Sequence, residues 1–291
     1  MQLRHFLAFL CLAAVWGASF LFARVSSPEF GALPFAFLRV GIAALALAPI
    51  LFMANHWQLL RENLILISSM ALLNSGIPFI LYGYTALYLD AGITSVLNAT
   101  TPILTAVIAH YYLSNHLSRK QFIGLLIGVI GVFVLMSEKI SLSNTNLLPL
   151  IAPIGACLGY AISANVTKKK LSHIPPKLIA ASSMLMSGLV LLPFAIVYWP
   201  QQAPSLIAWN SMIAVAIIST ALAYLIYFHL LKEIGPSKAV SVTLIIPIFG
   251  ILWGVLFLDE RITFTVVAGT LIILIGAYLS LSLNWLANLR L

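Results

Sequence analysis

The amino-acid sequence predicts an all-α integral membrane protein of ten transmembrane helices, built as two inverted five-helix repeats with both termini cytoplasmic. Three observations predict it. Of 291 residues, 62% are hydrophobic and 8% charged, against about 25% charged in a soluble domain, which excludes a soluble enzyme, a nucleic-acid-binding domain and a disordered chain. The apolar residues form ten continuous stretches, each near the length of about 20 residues that a helix needs to cross the hydrocarbon core. The second half of the chain also repeats the first at an offset of 145 residues.

In order, the stretches run 5–23, 32–54, 63–84, 91–113, 120–137, 147–167, 178–199, 206–230, 239–258 and 264–285. The first follows Arg4 and is long for a secretory signal core, and nine more spans follow it, so it is expected to be a helix. Barrel strands would alternate over segments of about 10 residues, and these runs are continuously apolar. The connections are too short for a soluble catalytic domain, so the chain is expected to work within the bilayer. Counted by loop with the N-terminus inside, eleven Lys and Arg fall on the cytoplasmic side, three on the other and one, Arg39, within a span. That bias sets the orientation, and an even number of spans returns the C-terminus to the cytoplasm. Cys11 and Cys157 lie in apolar runs away from any His or Cys partner, so neither a disulfide nor a thiolate metal site is expected.

With Pro247 placed under Pro102, Gly124 falls on Gly269, Gly131 on Gly276 and Tyr82 on Tyr227, without a gap. Pro49 and Pro193, at the ends of the second and seventh stretches, match with a shift of one. Residues 1–139 and 146–291 are therefore read as two copies of a five-helix unit. Five being odd, the second copy enters the membrane from the opposite side, which is the inverted repeat of alternating-access carriers.

Four features together resemble the EamA family of the drug/metabolite transporter superfamily: Trp16-Gly17-Ala18-Ser19-Phe20 in helix one, Leu38-Arg39 in helix two, the prolines Pro102 and Pro247, and the turn Asp259-Glu260-Arg261 before a Gly-rich last helix. The resemblance covers the whole chain. It implies a ten-helix bundle with a central cavity lined mainly by helices three, four, eight and nine, with contributions from one, six and seven, and an exporter of amino acids or other small metabolites. In the family the acidic turn residue often occurs in both halves, whereas here the first copy reads Ser114-Asn115-His116. A shared role for Glu260 therefore lacks its counterpart.

Polar groups deep in spans are costly unless they face a cavity or a partner, so they mark the candidate site. Asn74, Ser75 and Tyr82 in helix three, Asn98, Thr100 and Thr101 in helix four, Ser219, Thr220, Tyr224 and Tyr227 in helix eight and Ser241 and Thr243 in helix nine are candidates for binding substrate through neutral polar groups. Trp16, Tyr82, Tyr160 and Trp253 are candidates for its aromatic walls. The repeat pairs Asn74 with Ser219, Ser75 with Thr220 and Asn98 with Thr243. The other reading of such Ser and Thr is helix-helix hydrogen bonding. Pro102 and Pro247 are expected to kink helices four and nine, as hinges or as fixed curvature. Arg39 is read as a structural intramembrane charge tying helix two to its neighbours, with binding of a substrate carboxylate as the other reading. Gly124 and Gly128 form a small-xxx-small pattern suited to dimerisation or to internal packing.

No Asp or Glu lies deep in a span, and helix one lacks the embedded Glu of the shorter relatives that expel quaternary cations, which disfavours cation antiport. His110 and His229, near span ends, are conceivable proton relays. A membrane enzyme would need an acid-base or metal constellation near one interface, and a channel a ring of like groups; the sequence offers neither. The expectation is a non-enzymatic carrier in the cytoplasmic (inner) membrane. It takes a small-molecule substrate, with no cofactor, metal or nucleic-acid partner, and monomer and homodimer both stay open. Nucleotide-like metabolites, sugars and lipophilic compounds are the other substrate classes.

Overall fold

The computed structural model describes residues 3–53, 56–114, 116–142, 147–234, 239 and 241–280. Asn115, Lys238, Trp285, Arg290 and the 143–146 part of the boundary between the expected halves lie outside them. Every regular element among the described residues is helical. In lipid the backbone must satisfy its own hydrogen bonds, which a helix does within one segment.

Eight helical segments are long and apolar enough to cross a membrane. They are α1 (Leu3–Phe30), α2 (Ala32–Leu51), Leu64–Thr85, Ala91–Tyr112, the Arg119–Ser137 part of α8 (Arg119–Leu142), α9 (Leu148–Lys170), α10 (Pro176–Val197) and Leu206–Ile234. Two further apolar helices are shorter, α13 (Ile246–Leu258) and α14 (Phe264–Ser280). Leu45, Phe133, Val197 and Phe264 stand exposed on the outside, as a surface bathed in acyl chains requires.

Three of the long segments are not regular. Leu64–Thr85 is α4 (Leu64–Ala71), a π-helical turn (Leu72–Gly76) and α5 (Ile77–Thr85). Ala91–Tyr112 is α6 (Ala91–Asn98) and α7 (Thr101–Tyr112), separated by a break at Ala99 and Thr100. Leu206–Ile234 is α11 (Leu206–Ala216), a second π turn (Ile217–Leu222) and α12 (Ala223–Ile234). Within the ninth expected span a 3₁₀ turn (Ser241–Leu244) precedes α13, which starts after Ile245. Pro102 and Pro247 are each the second residue of the restarted helix. There the missing N–H would have no intrahelical partner in any case. The break thus precedes the proline, and neither proline bends a continuous helix. The π turns begin at 72 and 217, the restarts fall at 101 and 246, and among the described residues the non-glycine residues with positive φ are Ser114 and Asp259. All three spacings are the 145 residues of the sequence repeat.

Helix packing pairs α2 with α10, α8 with α14, α1 with α13 and α11, α9 with α5 and α7, and α6 with α13. The α8–α14 seam is made by glycine: a Cβ added at Gly276 would stand 2.5 Å from the Gly128 nitrogen and 2.6 Å from its Cα, and one at Gly124 would stand 2.7 Å from the Gly276 oxygen. The small-xxx-small face of α8 is therefore used inside the chain.

Two differences from the sequence reading have local causes. α1 continues through Arg24 to Phe30, because Arg24 Nη1 donates to the Ala86 carbonyl (2.6 Å) and Glu29 accepts from Ser205 N (2.5 Å) and Oγ (2.8 Å). A short helix, α3 (His56–Glu62), precedes α4, with Gln58 Nε2 donating to Glu62 Oε1 (2.9 Å) across one turn.

Glu260, in the turn between α13 and α14, accepts from the backbone N–H of Ala91 (2.6 Å) and Gly92 (2.9 Å). It thereby caps the first turn of α6, where free N–H groups and the helix dipole favour an anion. Burial holds its carboxyl above the usual carboxylate range, reinforced by Asp90 and opposed by these two N–H bonds and by Arg24. The folded protein consequently keeps a proton that the unfolded chain has released, so stability falls as pH rises from the ordinary carboxylate range through the raised value, and is level above it. Glu260→Gln is expected to flatten this part of the profile. Unfolding temperatures in detergent between about pH 4 and 8 measure it, and an unchanged slope would remove Glu260 as its source.

Candidate functional site

Both π turns and both helix breaks meet at one cavity of about 320 Å³, at the low end of the range for small-molecule pockets. Irregular backbone at membrane depth is tolerated where it is buried in protein or lines a cavity, and π bulges recur at functional sites for the same reason: they displace one residue and free a carbonyl.

The first π turn presents Asn74, whose Nδ2 donates to the Tyr224 hydroxyl and to Ser75 Oγ, both at 3.3 Å. The second presents Ser219 and Thr220. Ser219 Oγ donates to Val15 O (2.8 Å), and Thr220 Oγ1 donates to Val215 O five residues back (2.8 Å). The hydroxyl oxygen of Thr220 then accepts from Arg39 Nε (3.1 Å).

At the first helix break, Tyr82 OH donates to Asn98 Oδ1 (2.7 Å) and Thr101 Oγ1 donates to Asn98 O (2.8 Å). Cys157 Sγ lies 3.5 Å from Tyr82 OH and donates weakly to the carbonyls of Leu97 and Asn98. At the second break, Thr243 and Ile246 reach the same cavity. Its aromatic wall is continuous: Trp16 lies against Tyr227 (5.3 Å between ring centroids), Phe20 edge-on to Tyr82 (5.5 Å), and Tyr82 stacked with Tyr160 (6.2 Å).

Of the residues expected in the site, Trp16, Asn74, Tyr82, Asn98, Thr101, Tyr160, Ser219, Thr220, Tyr224, Tyr227 and Thr243 border this one space, whereas Thr100 and Ser241 do not. Ser75 is buried behind the wall. Trp253 faces elsewhere and donates Nε1 to Ala14 O (3.0 Å), joining α13 to α1. Neither His110 nor His229 borders the cavity. His110 Nδ1 accepts from Leu117 N (3.4 Å), and His229 faces His5, whose Nε2 lies 3.7 Å from Glu233 Oε2.

Sequence reasoning missed Phe20, Phe79 and Thr105 as lining residues. Phe20 follows Trp16 by one helical turn and Thr105 follows Thr101 by one, a spacing that puts each pair on one face. Phe79 follows Ser75 by four residues and precedes Tyr82 by three, so the same spacing could have marked it. Among the described residues no group of three His, Cys, Asp or Glu side chains is arranged to hold a metal ion.

The sequence model of the EamA-like transporter family matches residues 3–137 and again 147–282. Transporter YoaV of Bacillus subtilis (strain 168) is 27% identical over 284 residues, covering 94% of this chain and 95% of its own. A protein of Salmonella typhimurium named a probable amino-acid metabolite efflux pump is 24% identical over 287 residues, covering 94% of this chain and 93% of its own. One of the same name from Escherichia coli (strain K12) is 22% identical over 287 residues, covering 95% and 94%. A crystal structure with a TM-score of 0.70 matches along the whole of both chains at 13% identity, a likeness of fold.

Proposed function

The chain belongs to the EamA-like transporter family, and on that footing we propose that it is a carrier of the cytoplasmic membrane that exports or exchanges amino acids or similarly small metabolites by alternating access. One observation carries this reading. Asn74, Ser219 and Thr220 sit on the π turns and Asn98, Thr101 and Thr243 flank the helix breaks, and these interruptions recur at a 145-residue spacing, so each half contributes its own set. Two like bundles that share a site at their interface can rock about it and open it to either face in turn.

In this reading ten spans form two inverted five-helix repeats. The two separate family matches support the duplication, as does the recurrence of the π turns, helix restarts and positive-φ residues. The excess of Lys and Arg in alternate loops supports cytoplasmic termini. Amino acids are favoured within the family by the two relatives named as amino-acid metabolite efflux pumps, and by a wall of amide, hydroxyl and aromatic groups that can hold a zwitterion.

Uptake of labelled Phe, Trp, Met, Thr and Ala into proteoliposomes, with and without unlabelled solute inside, tests it. Saturable uptake of some of these, faster after preloading, is the expected result. No flux above empty liposomes, from protein shown to be folded, would overturn the amino-acid assignment.

A further inference from the structure

Among the described residues bordering the cavity one carries a charge, Arg39. It is 7% exposed, at a depth where an uncompensated charge is costly, and among the described residues no carboxylate lies within ion-pair distance of it. Asp90 and Glu260 border a different space, next to the turn that follows α13.

The guanidinium is held from two sides. Nε donates to Thr220 Oγ1 (3.1 Å), and Cζ lies 3.8 Å from the centre of the Phe79 ring. The second π turn makes the first contact possible, since the Thr220 hydroxyl has already given its proton to Val215 O and offers a lone pair. These contacts use one of five N–H donors and one face of the plane. Among the described residues no protein acceptor takes the N–H groups of the two Nη nitrogens. A fixed guanidinium with its outer edge unpaired is complementary to a carboxylate, which it binds through two parallel hydrogen bonds.

We propose that Arg39 anchors the carboxylate of the transported solute, and that the cavity selects monoanionic or zwitterionic carboxylates with an apolar or aromatic body over amines of the same shape. The inference rests on the carrier reading of this cavity and narrows its substrate class. A single cation matches a single negative charge, which disfavours phosphorylated metabolites. The apolar body packs against Trp16, Phe20 and Tyr160, and ring faces there can accept an α-ammonium without an acidic partner. The tie to Thr220, which a purely structural role would explain alone, here orients the guanidinium.

Three probes of one shape separate the charges: 3-phenylpropanoate, phenylalanine and phenethylamine. Their half-saturating concentrations are read from thermal stabilisation of the full chain in detergent, for the wild type, Arg39→Lys and Arg39→Gln. In the wild type, the acid and the amino acid are expected to act at concentrations at least about tenfold below the amine, a difference of about 1.4 kcal/mol. Arg39→Lys should keep that order with weaker binding, and Arg39→Gln should lose it. If Arg39→Gln does not fold, the wild-type order and Arg39→Lys carry the test.

Equal stabilisation by the amine, an unchanged order in Arg39→Gln, or no stabilisation by any of the three would overturn the proposal. Failure of the broader reading looks different. Preserved preference for the acid without amino-acid flux would remove the amino-acid assignment and leave the anchor, whereas amino-acid exchange blocked equally by phenethylamine would do the reverse.

Discussion

Gly276→Val is expected to abolish folding into a heat-stable monodisperse protein, while Gly41→Ala leaves the unfolding temperature unchanged or slightly raised. At Gly276 the new side chain meets backbone, with Gly128 N at 2.5 Å, Gly128 Cα at 2.6 Å and Gly124 O at 2.7 Å from the Cβ position. Backbone cannot move aside as a side-chain end can, so α8 and α14 must separate along their whole seam. Overpacking costs about 1–3 kcal/mol in ordinary cores, and the upper end applies here. At Gly41 the nearest atom is the Phe37 ring edge at 3.9 Å, an ordinary contact, and Gly to Ala within a helix gains about 0.5–1 kcal/mol. Size-exclusion profiles after heating for the pair check it. A Gly276→Val protein as heat-stable as the wild type would mean the two helices are not held by this seam.

Asn98→Ala is expected to lower transport about tenfold or more with little change in unfolding temperature, and Tyr82→Phe to do nearly the same. Each variant breaks the 2.7 Å bond from Tyr82 OH to Asn98 Oδ1. Removing Asn98 leaves the Tyr82 hydroxyl with the Cys157 sulfur at 3.5 Å, a weak partner, and frees the phenol to turn at the mouth of the helix break. Residues acting through one bond do not add, so the double variant should fall about tenfold as well, not a hundredfold. Initial rates of exchange in proteoliposomes measure the cycle. Independent, multiplicative losses would show that the two side chains serve transport separately.

The helical, membrane-crossing character of the chain was legible in the sequence because bilayer thickness acts on whole segments. Long apolar stretches are summed signals, robust to errors of a few residues. The polar members of the cavity were legible for a related reason: an Asn at the middle of a span, such as Asn74 or Asn98, has few places to go. What escaped was anything that depends on a single turn of backbone. No residue pattern in Leu72–Gly76 or Ile217–Leu222 announces a π turn, because the extra residue is stabilised by tertiary contacts such as Asn74 to Tyr224 and Thr220 to Arg39. The prolines were visible, but a proline in the first turn of a restarted helix reads the same in sequence as one that kinks a continuous helix. The capping of α6 by Glu260 joins residues nearly 170 positions apart, and no local pattern carries that information.

Arg24 gives a further instance. Its charge sits at the end of the first apolar stretch and would ordinarily terminate it, yet its side chain turns to the Ala86 carbonyl and α1 runs on for another turn and more. The stop was a matter of where the guanidinium found an acceptor.

The glycine seam between α8 and α14 has one more consequence. Among the described residues none that borders the cavity belongs to α8, α10 or α14, so α10, the seventh span, does not join the wall as the resemblance implied. Substitutions that reshape the chamber therefore lie on different helices from the contacts that keep α8 and α14 together, and changes at separated sites combine nearly independently. A lineage can exchange one solute for another by altering a few polar side chains on irregular turns, without renegotiating the joints of the framework. Divergence would then concentrate in the chamber wall while the glycines at 124, 128, 269 and 276 stay fixed, and a single architecture can diversify in cargo without first having to be rebuilt.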